Sequence, residues 1–283
     1  MEAIIKGGYQ PTVIDGISVS AILAVPASIA TVKPDMWDLM KDVFLNLKID
    51  DFFSKTWYGL SKSPITEKGK LSTYAKICAV TGRPYFGDQG KLRDTIKYVV
   101  PKTLFLEWKS NTEMPKVIVG AVDIMSGART YYNLKTVTYD KFIDAVQASA
   151  SIPVFTKWVE TVDGLMVDGG IRDHITDPEY FKEYKDIKES ITIYSRPENK
   201  DISLKKIPKN WLDMVMRVID IMELEISKSD ERLENRFANE IGYTPHQIFL
   251  PSILEHVYDT DKQRLKQLYD AGYKMGEDIL KNL

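Results

Sequence analysis

The stretch "VIDGISVSAILA", residues 13–24, decides how the rest of the chain is read. A β-branched run closes on Gly16, and a run of small apolar residues starts just after it. That pattern is a short strand turning directly into a helix, with Ser18 at the turn. Gly16 two residues before and Ser20 two residues after are small enough for the helix start to press against the strand. The pattern is that of a nucleophile elbow, written here G-x-S-x-S rather than G-x-S-x-G. From the helix N-terminus the amide of Val19 would donate to a developing oxyanion. A serine serving as an ordinary N-cap at a strand-to-helix turn satisfies the same letters.

Outward from this turn, strand-like and helix-like segments alternate. A helix is expected over 18–30, kinked or ended by Pro26. A mostly helical region is expected over 34–77, broken by the loop "KSPITEKGK", and an amphipathic helix over 90–99. "KVIVGAVDIMSGARTYYNL" reads as strand, "SGA" turn, strand. A helix over 139–150 ends in "ASAS", and "DGLMVDGG" is a short strand stopping at Asp168. "SITIYSRP" and "HQIFLPS" read as further strands. Between them a long helix over 211–237 would place Leu212, Val215, Met216, Ile219 and Met222 on one face. The last helix opens with "TDKQ", a capping box with Thr260 as cap and Gln263 three residues on.

This alternation predicts an α/β fold with a mainly parallel central sheet flanked by helices. One domain over 1–283 is expected, with a mostly helical insertion over 33–100 and a C-terminal helical region over 205–283 carrying one late strand.

Composition narrows the function classes. Of 283 residues 44% are hydrophobic and 28% charged, with a formal net charge of -2, enough apolar material for a sizeable core. No run of like charges marks a nucleic-acid partner. The single cysteine, Cys78, excludes an intrachain disulfide framework and suits a reducing compartment. No apolar run approaches the ~18 residues of a membrane span, and "MEAIIKGGYQP" lacks the apolar core of a secretory signal. The expected location is the cytoplasm.

A serine nucleophile needs a proton acceptor. The three histidines, His174, His246 and His256, carry no local pattern that marks a base. Asp168 is the stronger candidate, because a strand ends on it and Gly169 and Gly170 let the chain turn beneath the carboxylate. Such a carboxylate serves if it comes within about 2.6–3.2 Å of the hydroxyl. Asp-Gly is also a common hairpin turn. Three scattered histidines and one cysteine have no metal-ligand spacing, so no metal and no cofactor are expected.

The two signals stand in the order of a known family. The chain resembles the patatin-like phospholipases, serine hydrolases that work with a Ser–Asp dyad. "PTVIDGISVSAILA" is similar to the family's P-D-x-I-x-G-T-S-x-G-A segment, and "VGAVDIMSGARTYY" to its V-x-A-T-D-x-x-T-G strand-turn-strand. "AVQASASIPVFTKWVETVDGLMVDGG" resembles its A-x-x-A-S-x-A-x-P-x-x-F…DGG block, the most specific of the three. The resemblance runs from Pro11 to Gly170 and thins beyond. It implies Ser18 as nucleophile, Asp168 as base, a structural role for Asp123, an acyl-enzyme mechanism without metal, and glycerolipids or other acyl esters as substrates. After "DGG" the family carries N-x-P where this chain reads "IRDHIT", so substrate-side contacts there are expected to differ.

The family also carries a glycine-rich loop, G-G-G-x-R-G, upstream of its elbow. Here only Gly7 and Gly8 precede the turn, in a stretch that aligns with the end of the family's first helix. The expectation is that the first strand and the glycine-rich loop are absent. Either Met1 is an internal start of a longer protein or the chain is a naturally shortened relative. Losing one oxyanion donor costs about 10²–10³ in rate, so weak or no hydrolysis is expected of this form. The alternative function is a non-catalytic protein that binds acyl lipids or another partner on the same scaffold; transfer of the acyl group to an alcohol is a third. A lipid hydrolase must make transient contact with a membrane surface, and the 211–222 face or the aromatics of "FFSKTWYG" could touch one; an apolar helical stripe is more commonly core, so no membrane-binding segment is named.

Overall fold

The computed structural model describes residues 1–177, 180–181, 187–198, 211–254, 258–281 and 283, with only the backbone of 211–213 and 216. In chain order its elements are α1 (Glu2–Lys6), β1 (Val13–Ile17), α2 (Val19–Ala30), α3 (Asp35–Leu45), α4 (Thr73–Val80), α5 (Leu92–Val99) and α6 (Lys102–Ser110). Then follow β2 (Lys116–Asp123), β3 (Arg129–Asn133), α7 (Tyr139–Ser149), β4 (Val159–Thr161), β5 (Gly164–Asp168), β6 (Glu189–Tyr194), α8 (Trp211–Ile241), β7 (Thr244–Phe249) and α9 (Lys262–Leu280).

The expected α/β character is present, but the sheet is mixed rather than mainly parallel. β1 runs parallel to β2, whereas β3 and β5 pair with β2 antiparallel and β4 pairs with β5 antiparallel. β6 and β7 form a separate parallel pair. Connection length accounts for the two hairpins: the "SGA" turn and the turn at Asp163 are too short for a crossover, so β3 reverses on β2 and β5 on β4.

The register of β2 positions the site. Its residues 118–120 pair with both β1 and β3, so those strands lie on opposite sides of it. Its residues 121–122 pair with β3 and β5, which puts β5 on the same side as β1. β1 and β5 therefore share one edge of β2 end to end, Ile17 opposite Gly120 and Asp168 opposite Ala121. Because β1 is parallel and β5 antiparallel to β2, their C-terminal ends point at each other.

The main core lies between this sheet and the helices. Val117, Val119 and Ala121 of β2 meet Ala21, Val25 and Ile29 of α2 and Phe142 and Val146 of α7 in one buried cluster. Phe105 of α6 stacks on Phe142 with ring centroids 4.8 Å apart. Trp108 is fully buried and donates its indole N–H to Ser28 Oγ at 2.8 Å, while Ser28 in turn donates to the carbonyl of Pro115. Every polar atom of that buried relay is thereby met.

Three local expectations are corrected, and at Pro26, where a kink or an end was expected, α2 runs on without ending. A mid-helix proline costs ~3 kcal/mol, here offset by the burial of residues 24–30. The region 34–77 is helical only at α3, at a single 3₁₀ turn Ile49–Asp51 and at the start of α4. Between them, bridges Lys55↔Ser61 and Ile65↔Leu71 close two tight antiparallel turns. On α8 the buried positions are Leu224, Ser227, Asp230, Glu234, Phe237 and Ala238, while Met222 is exposed. Leu212 and Met216 fall outside the described side chains. α9 is capped one residue later than expected, by Asp261, whose carboxylate accepts the amide of Arg264 at 2.9 Å. Among the described residues no helix is long and apolar enough to cross a membrane.

Candidate active site

Ser18 occupies the single residue between β1 and α2, with φ 62 and ψ -133. A non-glycine residue is rarely found there, and holding one costs about 1–3 kcal/mol. The turn is this tight because α2 starts directly against β1. A Cβ on Gly16 would stand 2.7 Å from the carbonyl oxygen of Ser20 and 2.9 Å from the amide of Ala21, so only glycine fits. The Ser18 amide donates to Ser149 Oγ at 3.0 Å, which ties the elbow to the last turn of α7. The Ser18 hydroxyl makes no capping bond. It donates instead to Asp168 Oδ2 at 2.7 Å.

Asp168 is 3% exposed. Its other oxygen, Oδ1, accepts the amide of Gly170 at 2.7 Å, and its own amide donates to the carbonyl of Ser151. Gly169 is needed for the close approach of the two strand ends, because a Cβ there would lie 2.6 Å from the carbonyl oxygen of Gly120. Burial pushes the Asp168 carboxyl up to about 7, against the lowering effect of the bonds from Ser18 and Gly170; the charge of Glu223 on α8 pushes it further up. A carboxyl poised there exchanges a proton near neutral pH.

The flanks of the elbow behave differently from one another. Val19 is exposed at the first position of α2, where backbone N–H groups have no intrahelical partner. Ser20, which replaces the small glycine of the usual pattern, turns its hydroxyl back onto Ile17. It donates to the Ile17 carbonyl at 2.6 Å and accepts the Ile17 amide at 2.9 Å.

Asp123 is placed as a turn-former. Its carboxylate accepts the hydroxyl of Ser126 at 2.6 Å and the amides of Met125, Ser126 and Leu165, and the Ser126 hydroxyl leads these in holding its pKa below the ordinary value. His174 lies beside Gly170 and donates its amide to Asp230 Oδ2 at 2.6 Å, His246 sits on β7, and His256 lies outside the described residues. Among the described residues no group of three or more His, Cys, Asp or Glu side chains could hold a metal ion.

The "IRDHIT" segment is stapled in place by charge. Asp173 accepts Arg129 Nε and the Tyr131 hydroxyl, each at 3.0 Å, and Arg129 also reaches Asp177 at 2.6 Å. The amide of Thr176 donates to Asp15 on β1. Sequence reasoning missed Ser149, Ser151 and Glu223. The hydroxyl-rich "ASAS" end of α7 was the visible signal for the first two, while nothing local marks Glu223.

A serine on a strained strand-to-helix turn, hydrogen-bonded to a buried carboxylate at the end of another strand, defines an α/β protein with a serine–carboxylate pair at its sheet. Residues 1–176 match the family model of the patatin-like phospholipases, and the chain belongs to that family. Among curated proteins none matches the chain.

Proposed function

We propose that this protein is a serine acyl hydrolase whose nucleophile is Ser18 and whose base is Asp168, acting on glycerolipids or other acyl esters. The observation that carries the reading is the 2.7 Å bond from Ser18 Oγ to Asp168 Oδ2, made by a serine held at φ 62 with no capping bond of its own. Ser18 attacks the ester carbonyl and gives its proton to Asp168. The tetrahedral oxygen is met by the amide of Val19 at the start of α2. The alcohol leaves with the proton from Asp168, and water activated by Asp168 releases the acid from the acyl-enzyme.

Before β1 lie α1 and the turn at Gly7 and Gly8. Weak turnover, lower by about 10²–10³, is expected if the Val19 amide is the single backbone donor to the oxyanion. Exposed apolar side chains support transient contact with a lipid surface: Met214, Val218, Ile221 and Met222 on α8, and Trp57 with Tyr58.

Labelling with a fluorophosphonate probe tests the reading. A covalent adduct on the wild type that is absent from Ser18→Ala and strongly slowed in Asp168→Asn is the expected result. No adduct on wild type would instead favour a protein that binds acyl lipids without cleaving them.

A further inference from the structure

Tyr258 lies between β7 and α9 and is 8% exposed. Its ring meets Phe53 nearly edge-on with centroids 5.0 Å apart and Phe52 at 6.2 Å. Ile152 and Phe155 belong to the same apolar cluster. They follow Ser151, whose carbonyl accepts the Asp168 amide, so the cluster adjoins the base side of the site. Among the described residues the Tyr258 hydroxyl has no hydrogen-bond partner. A buried O–H left unmet costs about 1–3 kcal/mol, and such groups in native structures call for a reason.

Asp168 does not supply the missing acceptor: its Oδ2 takes the Ser18 hydroxyl and its Oδ1 the Gly170 amide, and the Tyr258 hydroxyl bonds to neither. Burial leads in pushing the phenol's pKa up, and the Asp168 charge adds to it. The phenol therefore stays protonated and can serve as a donor to an incoming acceptor. On the hydrolase reading, the amide of Val19 at the helix start would meet the carbonyl oxygen of an ester. The side of the base is where the leaving oxygen departs, since the group that took the serine proton must return it there.

Resting on the hydrolase reading above, we propose that Tyr258 donates its O–H to the leaving oxygen of the ester. In that step the Ser18 Oγ–acyl carbon bond forms and the serine proton moves to Asp168. The acyl carbon–alkoxy bond then breaks, and the same proton passes from Asp168 to the departing oxygen. Tyr258 keeps its own proton throughout and stabilises negative charge as it grows on that oxygen.

The test compares a poor leaving group with a good one. Wild type, Ser18→Ala and Tyr258→Phe are assayed on a methyl ester and on a p-nitrophenyl ester of the same acid, with fluorophosphonate labelling alongside. Tyr258→Phe is expected to lose about 10- to 100-fold on the methyl ester, the reach of one charge-assisted hydrogen bond, and under about 3-fold on the nitrophenyl ester. Retained nitrophenyl turnover also shows that the variant folds. Equal effects on both esters, whether large or nil, overturn the role of Tyr258 while leaving Ser18 and Asp168 intact. A wild type inert to both esters and to the probe, or turnover that survives Ser18→Ala, overturns the hydrolase reading and the Tyr258 role together. If Tyr258→Phe does not fold, 3-fluorotyrosine at this position keeps the ring and makes its hydroxyl a stronger donor. Methyl-ester turnover then rises relative to nitrophenyl turnover, and an unchanged ratio overturns the proposal.

Discussion

Ile17 and Asp168 face consecutive residues of β2, Gly120 and Ala121, although they belong to strands running in opposite directions. That end-to-end meeting brings the next residue after Ile17, the elbow serine, to the carboxylate at the end of β5. The separation of 150 residues along the chain closes to one hydrogen bond. Both positions depend on backbone being able to approach backbone, at Gly16 on one side and at Gly169 on the other.

The strain at Ser18 gives a direct test of the elbow. Ser18→Gly relieves a φ of 62 at no steric cost and is expected to stabilise the fold by about 1 kcal/mol in urea unfolding, while abolishing probe labelling. Ser18→Ala loses labelling equally but gains no such stability, because alanine bears the same backbone strain. A Ser18→Gly variant no more stable than Ser18→Ala would argue against strain at this turn.

Gly16→Ala forces a Cβ to within 2.9 Å of three backbone atoms at the start of α2. The helix start must shift, at an expected cost of about 1–3 kcal/mol. Labelling of the intact Ser18 should slow at least tenfold, because the hydroxyl is carried away from Asp168. Thermal unfolding and labelling rates measured on one preparation check both effects.

Ser149→Ala removes the acceptor of the Ser18 amide at a position with no exposure. Leaving that N–H unmet is expected to cost about 1–3 kcal/mol. On the proposed hydrolase reading, Ser18 loses its tie to α7, so turnover is expected to fall by a larger factor than for a surface Ser→Ala control such as Ser110→Ala. Equal turnover in the two variants would mean that Ser149 does not hold the elbow.

The pH dependence has two opposite arms. If Asp168 is the base proposed above, it accepts the serine proton only as a carboxylate, so hydrolysis should rise as pH climbs through about 7. Stability runs the other way. The unfolded carboxyl ionises near 3.8 and the folded one only near 7, so across that window the folded state keeps a proton that the unfolded state has released. Stability falls as pH rises through the window and the loss is complete above it. Asp230, raised to about 7 chiefly by burial, adds the same slope. Asp168→Asn removes one of these groups, so at about pH 8 it should melt at least ~2 °C above wild type, and the gain should shrink toward about pH 4. Calorimetry at the two pH values decides it.

The sequence by itself determined the local pieces of this protein. A β-branched run closing on Gly16 and followed by small residues read as a strand meeting a helix, and the "SGA" turn marked a hairpin, because periodicity and turn chemistry are properties of a few adjacent residues. Likewise the order of the elbow, the strand-turn-strand and the "DGG" block pointed to the family, and through it to Ser18 and Asp168. What only the tertiary structure decided is non-local: the reversal of β5 against β2, the tie from Ser149 to the elbow, the helix that persists through Pro26, and the burial that brings the Asp168 carboxyl near neutrality. Strand direction, register and desolvation depend on which distant segments pack together, and no window of neighbouring residues carries that information.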